Sequence, residues 1–228
     1  PLIDGEKITV ILPIKGYQDD QYVFMATSLG TVKKTRLSDF SNPRKAGIIA
    51  VDLNENDFLV GAAITDGKHD VMLFSDAGKA VRFDENDVRP MGRTARGVRG
   101  MNLAAQQNVI AMLVAPAEAA DGAAPAEDGV AAPSSVLTAT ENGFGKRTPI
   151  GEYTRHGRGT KGMIAIQTSS RNGKVVAAVL VPAVGVGSTP HSCPTTAIII
   201  GVVFPALDMI LLCFLHLVVL REVVVGHL

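Results

Sequence analysis

The sequence predicts an all-β protein built as a repeat array of four-stranded, propeller-like blades, followed by an apolar tail outside the array. Three observations carry this. An apolar run, a tight turn with glycine and a strand ending on or near a basic residue recur at Val23–Lys34, Val71–Phe83 and Val136–Arg147. A second glycine follows each turn glycine, Gly30 to Gly47, Gly78 to Gly97 and Gly143 to Gly162, at separations of 17, 19 and 19. Gly30 to Gly78 spans 48 residues, which is room for four short strands.

The central hairpin shows the logic. Met72, Leu73 and Phe74 are an apolar run, Asp76-Ala77-Gly78 is turn chemistry, and Ala80–Phe83 resumes as a strand. A basic residue stands four positions after each turn glycine: Lys34, Arg82 and Arg147. Short apolar strands follow the second glycines, at Ile48–Val51, Val98–Met101 and Met163–Ile166. Asn56–Ile64, Gln107–Val114 and Gly173–Val181 close the three repeats. The blades therefore occupy residues 15–66, 67–114 and 134–181. One such sheet cannot bury both faces, so the repeats must pack side by side. Residues 1–14, with the β-rich Glu6–Ile14, read as the last strand of a truncated preceding blade.

Two segments break the pattern. Residues 115–133 are rich in Ala, Pro and Gly, carry Glu118, Asp121, Glu127 and Asp128, and have no basic residue. They read as a disordered acidic insertion between blades. In residues 182–228 the next hairpin is due and does not come. Ala197–Leu220 is nearly all apolar, which by length alone makes it a transmembrane candidate. Asp208 near its middle would cost about 2.5–3.5 kcal/mol to insert. We read the tail as out-of-frame translation; a Gly-x-x-x-Arg hairpin in another frame past codon 181 is the test.

Composition bounds function weakly. Lys plus Arg and Asp plus Glu are 22 each among 228 residues, so only the distribution of charge can speak about partners. There is no Trp, which argues against a stacking platform for sugars or bases. Cys193 and Cys213 are too few for a disulfide framework, and no Cys/His cluster has zinc spacing. A cysteine-poor chain fits a reducing, cytosolic setting. The chain opens on Pro1 without a secretory signal, as a fragment would.

Charge distribution is more informative. One basic group follows each hairpin turn: Lys33, Lys34 and Arg36, then Arg82, then Lys146 and Arg147. The other precedes or flanks each second glycine: Arg44 and Lys45, then Arg93, Arg96 and Arg99, then Arg158 and Lys161. Singly, such residues guard sheet edges or sit on solvated faces. Recurring at equivalent places, they form a basic stripe along one side of the array, which suits a phosphate backbone. Asn and Gln are scarce in these loops, so binding should depend little on base sequence. A repeat scaffold for an acidic protein is the alternative from another class.

Other chemistries are weaker. No G-x-x-x-x-G-K-[ST] motif occurs. Gly157–Gly162 reads as a loop for close backbone approach, and His156 as a surface residue beside it. Tyr17, Tyr22 and Tyr153 read as packing residues, and Asp84-Glu85 as turn residues.

Phe24–Thr27 with Gly30–Thr35, Val71–Ser75, Gly97–Gly100, Leu137–Arg147 and Arg171–Gly173 resemble the C-terminal domain family of the bacterial DNA gyrase A subunit, over about Gly5 to Val181. The corresponding domain of topoisomerase IV is the near alternative. The resemblance implies part of a six-bladed β-pinwheel, a propeller whose blades exchange strands. It implies double-stranded DNA wrapped on the basic rim without sequence specificity. It also implies the gyrase B subunit and a second gyrase A subunit as partners in the intact heterotetramer, in the bacterial cytoplasm at the nucleoid. In the family that wrap supports ATP-dependent negative supercoiling by a type II topoisomerase. No cofactor is expected in this fragment, because ATP and Mg2+ bind elsewhere in the intact enzyme, and no membrane is expected as partner despite the tail. The family's glutamine-arginine-glycine-lysine box is absent, and the catalytic tyrosine belongs to a region outside this chain, so no catalytic residue is expected here.

Overall fold

The computed structural model describes residues 8–45, 47–117 and 135–181. Residues 118–134, which hold most of the acidic insertion, the start of the chain to residue 7 and the apolar tail from 182 lie outside the described residues. The described chain is all β apart from three single 3-10 turns. Its strands are β1 Tyr22–Thr27, β2 Thr31–Arg36, β3 Leu59–Thr65, β4 His69–Ser75, β5 Lys79–Asp84, β6 Val98–Arg99, β7 Val109–Pro116, β8 Ser135–Thr140, β9 Gly145–Pro149, β10 Met163–Ile164 and β11 Val175–Val181.

Three antiparallel hairpins organise these strands: β1–β2, β4–β5 and β8–β9. Each closes with the turn glycine donating to the carbonyl three residues back, Gly30 to Thr27, Gly78 to Ser75 and Gly143 to Thr140, all at 3.0 Å. The glycines have φ of +80°, +78° and +80°, the left-handed conformation that ends a three-residue hairpin loop.

The sheets run β3-β1-β2-β6, β10-β5-β4-β7 and β11-β8-β9. The fourth strand of the first sheet, β6, comes from the second repeat, and that of the second sheet, β10, comes from the third. Blades thus exchange strands, and each joint is stitched by main chain. Gly30 O accepts from Gly100 and Met101 N–H, and Gly78 O from Ala165 and Ile166 N–H.

Side chains alternate between joints with the strand period of two. Phe24 and Ala26 face Val71 and Leu73 in the cluster between the first two sheets. Met72 and Phe74 point the other way, to Val136, Ile150 and Tyr153. Val23 and Met25 pack with Leu37, Phe40, Ala50 and Val51 on the outer side of the first sheet. A strand covered on both faces reads as a continuous apolar run, which is why Val71–Phe74 is fully buried.

Three local expectations change. Ile48–Val51 is not a strand: among the described residues it has no ladder partner, and pairing is what makes a strand. Residues 8–14 likewise carry no ladder, although Leu12 and Ile14 pack against the outer cluster. β7 runs on through Ala115 and Pro116, which pair with Asp70 and His69, because the buried Ala115 still has a sheet to join. Among the described residues no helix is long and apolar enough to cross a membrane.

Candidate nucleic-acid interface

The inner strands β3, β7 and β11 contain no charged residue (LVGAAIT, VIAMLVAP, VVAAVLV), and β7 lies beside both of the others. The opposite sheet edges are made by β6, β10 and β9, and the loops leading to them carry the arginines and lysines. Charge therefore collects on the outer edge of the array.

The structure does not place every sequence-selected cation there. Lys33, Lys34 and Arg82 are 1%, 2% and 3% exposed. They are joint residues, and this corrects their assignment to a phosphate-facing surface. Lys34 Nζ lies 2.9 Å from Glu85 Oε2 in the next repeat, donates to Asn86 Oδ1 at 3.1 Å and sits 4.4 Å above the Tyr22 ring. Arg82 donates from Nε (2.8 Å) and Nη2 (2.6 Å) to Asp70 Oδ2, and from Nη1 to the carbonyls of Ile150 and Tyr153 in the third repeat. In both cases the cation four residues after the turn glycine reaches the 3-10 turn of the following repeat. Charges buried this deeply are tolerated only because they are paired and hydrogen-bonded.

Lys33 is held differently. Its ammonium donates to the carbonyl of Ala50 at 2.7 Å and to that of Arg93. Burial pushes its pKa down to about 8; the nearby Arg93 charge adds to the fall and Asp52 opposes it. A neutral amine keeps two N–H donors, so both carbonyls stay satisfied after deprotonation.

The remaining selected cations are at the surface. Arg36, Arg44, Lys45, Arg96, Arg99, Lys146, Arg147, Arg158 and Lys161 are exposed, and Arg93 is half-buried. Arg96 pairs with Asp52 at 2.9 Å, with both side chains largely in solvent. Arg158 donates only to main-chain carbonyls, those of Asp87 and Arg99, so its charge is positioned but not neutralised. Lys146 reaches the carbonyl of Ala165 at 3.4 Å. Among the described residues Arg36, Arg44, Lys45, Arg99 and Lys161 have no ion-pair partner.

Two charged residues escaped sequence selection. Arg155, 41% exposed, bridges Asp70 Oδ1 at 2.6 Å and Asp84 Oδ2 at 2.8 Å, tying the third repeat to the second. Glu85 is a fully buried partner and not a solvated turn residue. The glycine-rich loop also serves a joint: Gly159 N–H donates to Gly100 O at 2.6 Å, and Thr160 O accepts from Asn102 N–H at 2.8 Å. Tyr153 is buried edge-on to Phe74, and burial raises its phenol pKa.

Asp66, His69 and Glu85 bring potential metal-ligand atoms within 4.8 Å of one another. The Glu85 carboxylate and one Asp66 oxygen are already engaged. Glu85 Oε1 accepts from the N–H groups of Gly67 and His69, Oε2 faces the Lys34 ammonium, and Asp66 Oδ1 accepts from Lys68 N–H. The cluster is a hydrogen-bonded clasp whose cation is a lysine.

Comparison with known proteins agrees with this architecture. The family described as "DNA gyrase C-terminal domain, beta-propeller" matches residues 21–66, 69–116 and 134–182. The DNA gyrase A subunit of Klebsiella oxytoca is 50% identical over 181 residues, covering 79% of this chain and 19% of that protein. Its Escherichia coli K12 counterpart is 45% identical over the same length and shares. The chain thus spans about a fifth of the length of these bacterial relatives. A solved gyrase A C-terminal domain superposes with a TM-score of 0.60 at 30% identity, over 74% of this chain and 51% of that one. The C-terminal domain of a DNA topoisomerase IV gives 0.64 at 24% identity, over 75% and 49%, a likeness of fold. With three matched repeats, strand-exchanged sheets and an outer basic edge, the chain belongs to the DNA gyrase C-terminal domain, beta-propeller family.

Proposed function

We propose that this chain binds duplex DNA along its outer edge, without base specificity, and curves the duplex around the blade array as part of a gyrase A subunit. The observation that carries this is the recurrence of cations, mostly unpaired and all exposed except the half-buried Arg93, before the second glycine of successive repeats: Arg44 and Lys45, Arg93 and Arg96, Arg158 and Lys161. Ammonium and guanidinium groups there meet phosphates and release counterions, and the apolar inner strands offer nothing comparable. Within the intact enzyme the curved duplex would be the segment that ATP-driven strand passage converts into negative supercoils. The gyrase B subunit and a second gyrase A subunit would be its partners, ATP and Mg2+ would act elsewhere, and the bacterial cytoplasm would be the setting. Titration of duplexes of unrelated sequence at several salt concentrations tests the core of this. The expected result is similar affinity for all sequences and a log–log salt slope of about 0.9 per phosphate contacted. A salt-independent affinity, or tighter binding to an acidic protein than to DNA, overturns it.

A further inference from the structure

Lys33 lies on β2 with Met25 directly across on β1 and Ala62 beyond it on β3. It is 1% exposed, so its ammonium offers nothing to a phosphate in solution. It donates instead to two main-chain carbonyls of different repeats, Ala50 O at 2.7 Å and Arg93 O.

Both carbonyls belong to basic segments. Ala50 follows Arg44 and Lys45, whose turn is closed by Gly47 N–H on Arg44 O at 2.9 Å. Arg93 lies in the loop that also carries Arg96. Three successive residues of β2 hold that loop. Lys34 O accepts from Met91 N–H at 2.8 Å, Lys33 reaches Arg93 O, and Val32 O lies so near Gly97 that a Cβ there would stand 2.5 Å away. Of the three, only Lys33 acts through its side chain. Three residues past the turn glycine the second repeat has Val81, and the third has the exposed Lys146, which reaches Ala165 O at 3.4 Å. The two-repeat bridge is therefore a feature of the first joint.

The charges around the ammonium oppose one another. Arg93 disfavours it, Asp52 favours it, and Arg96 holds Asp52 at 2.9 Å in a solvated pair. β1 and β3 present the uncharged Met25 and Ala62, and Tyr17 packs in the apolar cluster on that side.

We propose that Lys33 is a positioning residue for the phosphate contacts of Arg93 and Arg96, bridging the basic segments of the first two repeats from beneath, and that duplex binding above it draws a proton onto its amine. This rests on the DNA-binding function proposed above. A phosphate at Arg93 offsets the charge that opposes the ammonium, and Arg96 drawn to a phosphate leaves Asp52 to favour it. The free chain releases the Lys33 proton at about pH 8, and the complex keeps it to higher pH. The complex then binds more protons than the free chain, so affinity falls as pH rises above about 8.

Calorimetric titration of the full chain with a duplex, in two buffers of different ionisation enthalpy, tests this. The expected result is uptake of about half a proton per chain near pH 8.5, and affinity falling about fourfold from pH 7.5 to 9. Lys33→Met should bind about threefold or more weakly at pH 7.5, because the loop loses its anchor, and should show neither uptake nor pH dependence. Lys33→Arg keeps the donors and cannot lose its proton, so it should restore affinity at pH 7.5 without restoring uptake. It also serves as the control if Lys33→Met does not fold. Binding of wild type without proton uptake, or uptake that persists in either variant, overturns the role of Lys33 alone. Failure of any duplex to bind at pH 7.5 overturns the DNA-binding function and this role with it.

Discussion

Arg82 clasps Asp70 diagonally across the β4–β5 hairpin, with Nε and Nη2 at 2.8 and 2.6 Å from the same carboxylate oxygen. Its remaining Nη1 donors close on Ile150 and Tyr153 of the next blade. The pair therefore fixes the second hairpin and its joint to the third repeat at once. Arg82→Met leaves a fully buried carboxylate with Arg155 alone, and should destabilise the fold by about 3 kcal/mol, the low end for a broken buried pair. Arg82→Met with Asp70→Asn should recover part of that loss. Urea unfolding measures both. The DNA affinity of the folded single variant should match wild type, because Arg82 offers no surface to phosphate; a large fall in affinity without loss of stability would return Arg82 to the interface.

Lys33 makes stability depend on pH. Its folded pKa of about 8 lies below the ordinary 10.5, so folding disfavours the ammonium. Below pH 8 both states carry the proton and the penalty is fully present. Between about 8 and 10.5 the unfolded chain binds more protons than the folded one, so stability from this group rises with pH across that window. Lys33→Met removes the group. The expected outcome is that the stability difference, wild type minus variant, climbs over that range; a flat difference would mean that Lys33 titrates normally.

The turn glycines of equivalent hairpins should not tolerate the same change equally. A Cβ on Gly78 would stand 2.1 Å from Ile166 O, two residues past β10, the strand that joins the third repeat to the second. Gly78→Ala must therefore push β10 away and lose two main-chain hydrogen bonds, at roughly 1 kcal/mol each, on top of about 1–2 kcal/mol of left-handed strain. Gly143→Ala meets nothing within 4 Å and should cost the strain alone. Thermal unfolding of the two single variants gives the comparison, and equal losses would contradict the strand exchange at β5.

The hairpins and their spacing were legible in sequence because their causes are local. A strand buried on both faces must be apolar throughout, and the loop that closes it needs a residue at positive φ. What was not legible is where a recurring cation points. Lys34 and Arg82 recur at the same offset as surface cations do, and only their partners reveal a joint. Glu85, one residue past its strand, serves Lys34, while Asp70, at the first hairpin register, serves Arg82. Each partner lies at a different repeat position, so no single period exposes both. Arg155 was missed for the converse reason: seven residues before Gly162, it stands where the second repeat has Pro90, seven before Gly97, and it does not recur. Ile48–Val51 has the composition of a strand, but a ladder partner is a tertiary fact.

The exposed cations should behave in the opposite way from Arg82. Lys45→Glu and Lys161→Glu alter solvated side chains with no ion pair among the described residues, so stability should change by less than about 0.5 kcal/mol. Each should lower duplex affinity, and each phosphate that is no longer neutralised should take about 0.9 from the log–log salt slope. Arg158→Glu should do both things, because its guanidinium also bonds the carbonyls of Asp87 and Arg99 and so helps hold the third repeat against the second. Measuring unfolding and DNA binding on all three variants separates the roles. If Lys45→Glu and Lys161→Glu left affinity and salt slope unchanged, the outer edge would not be the surface that carries the duplex.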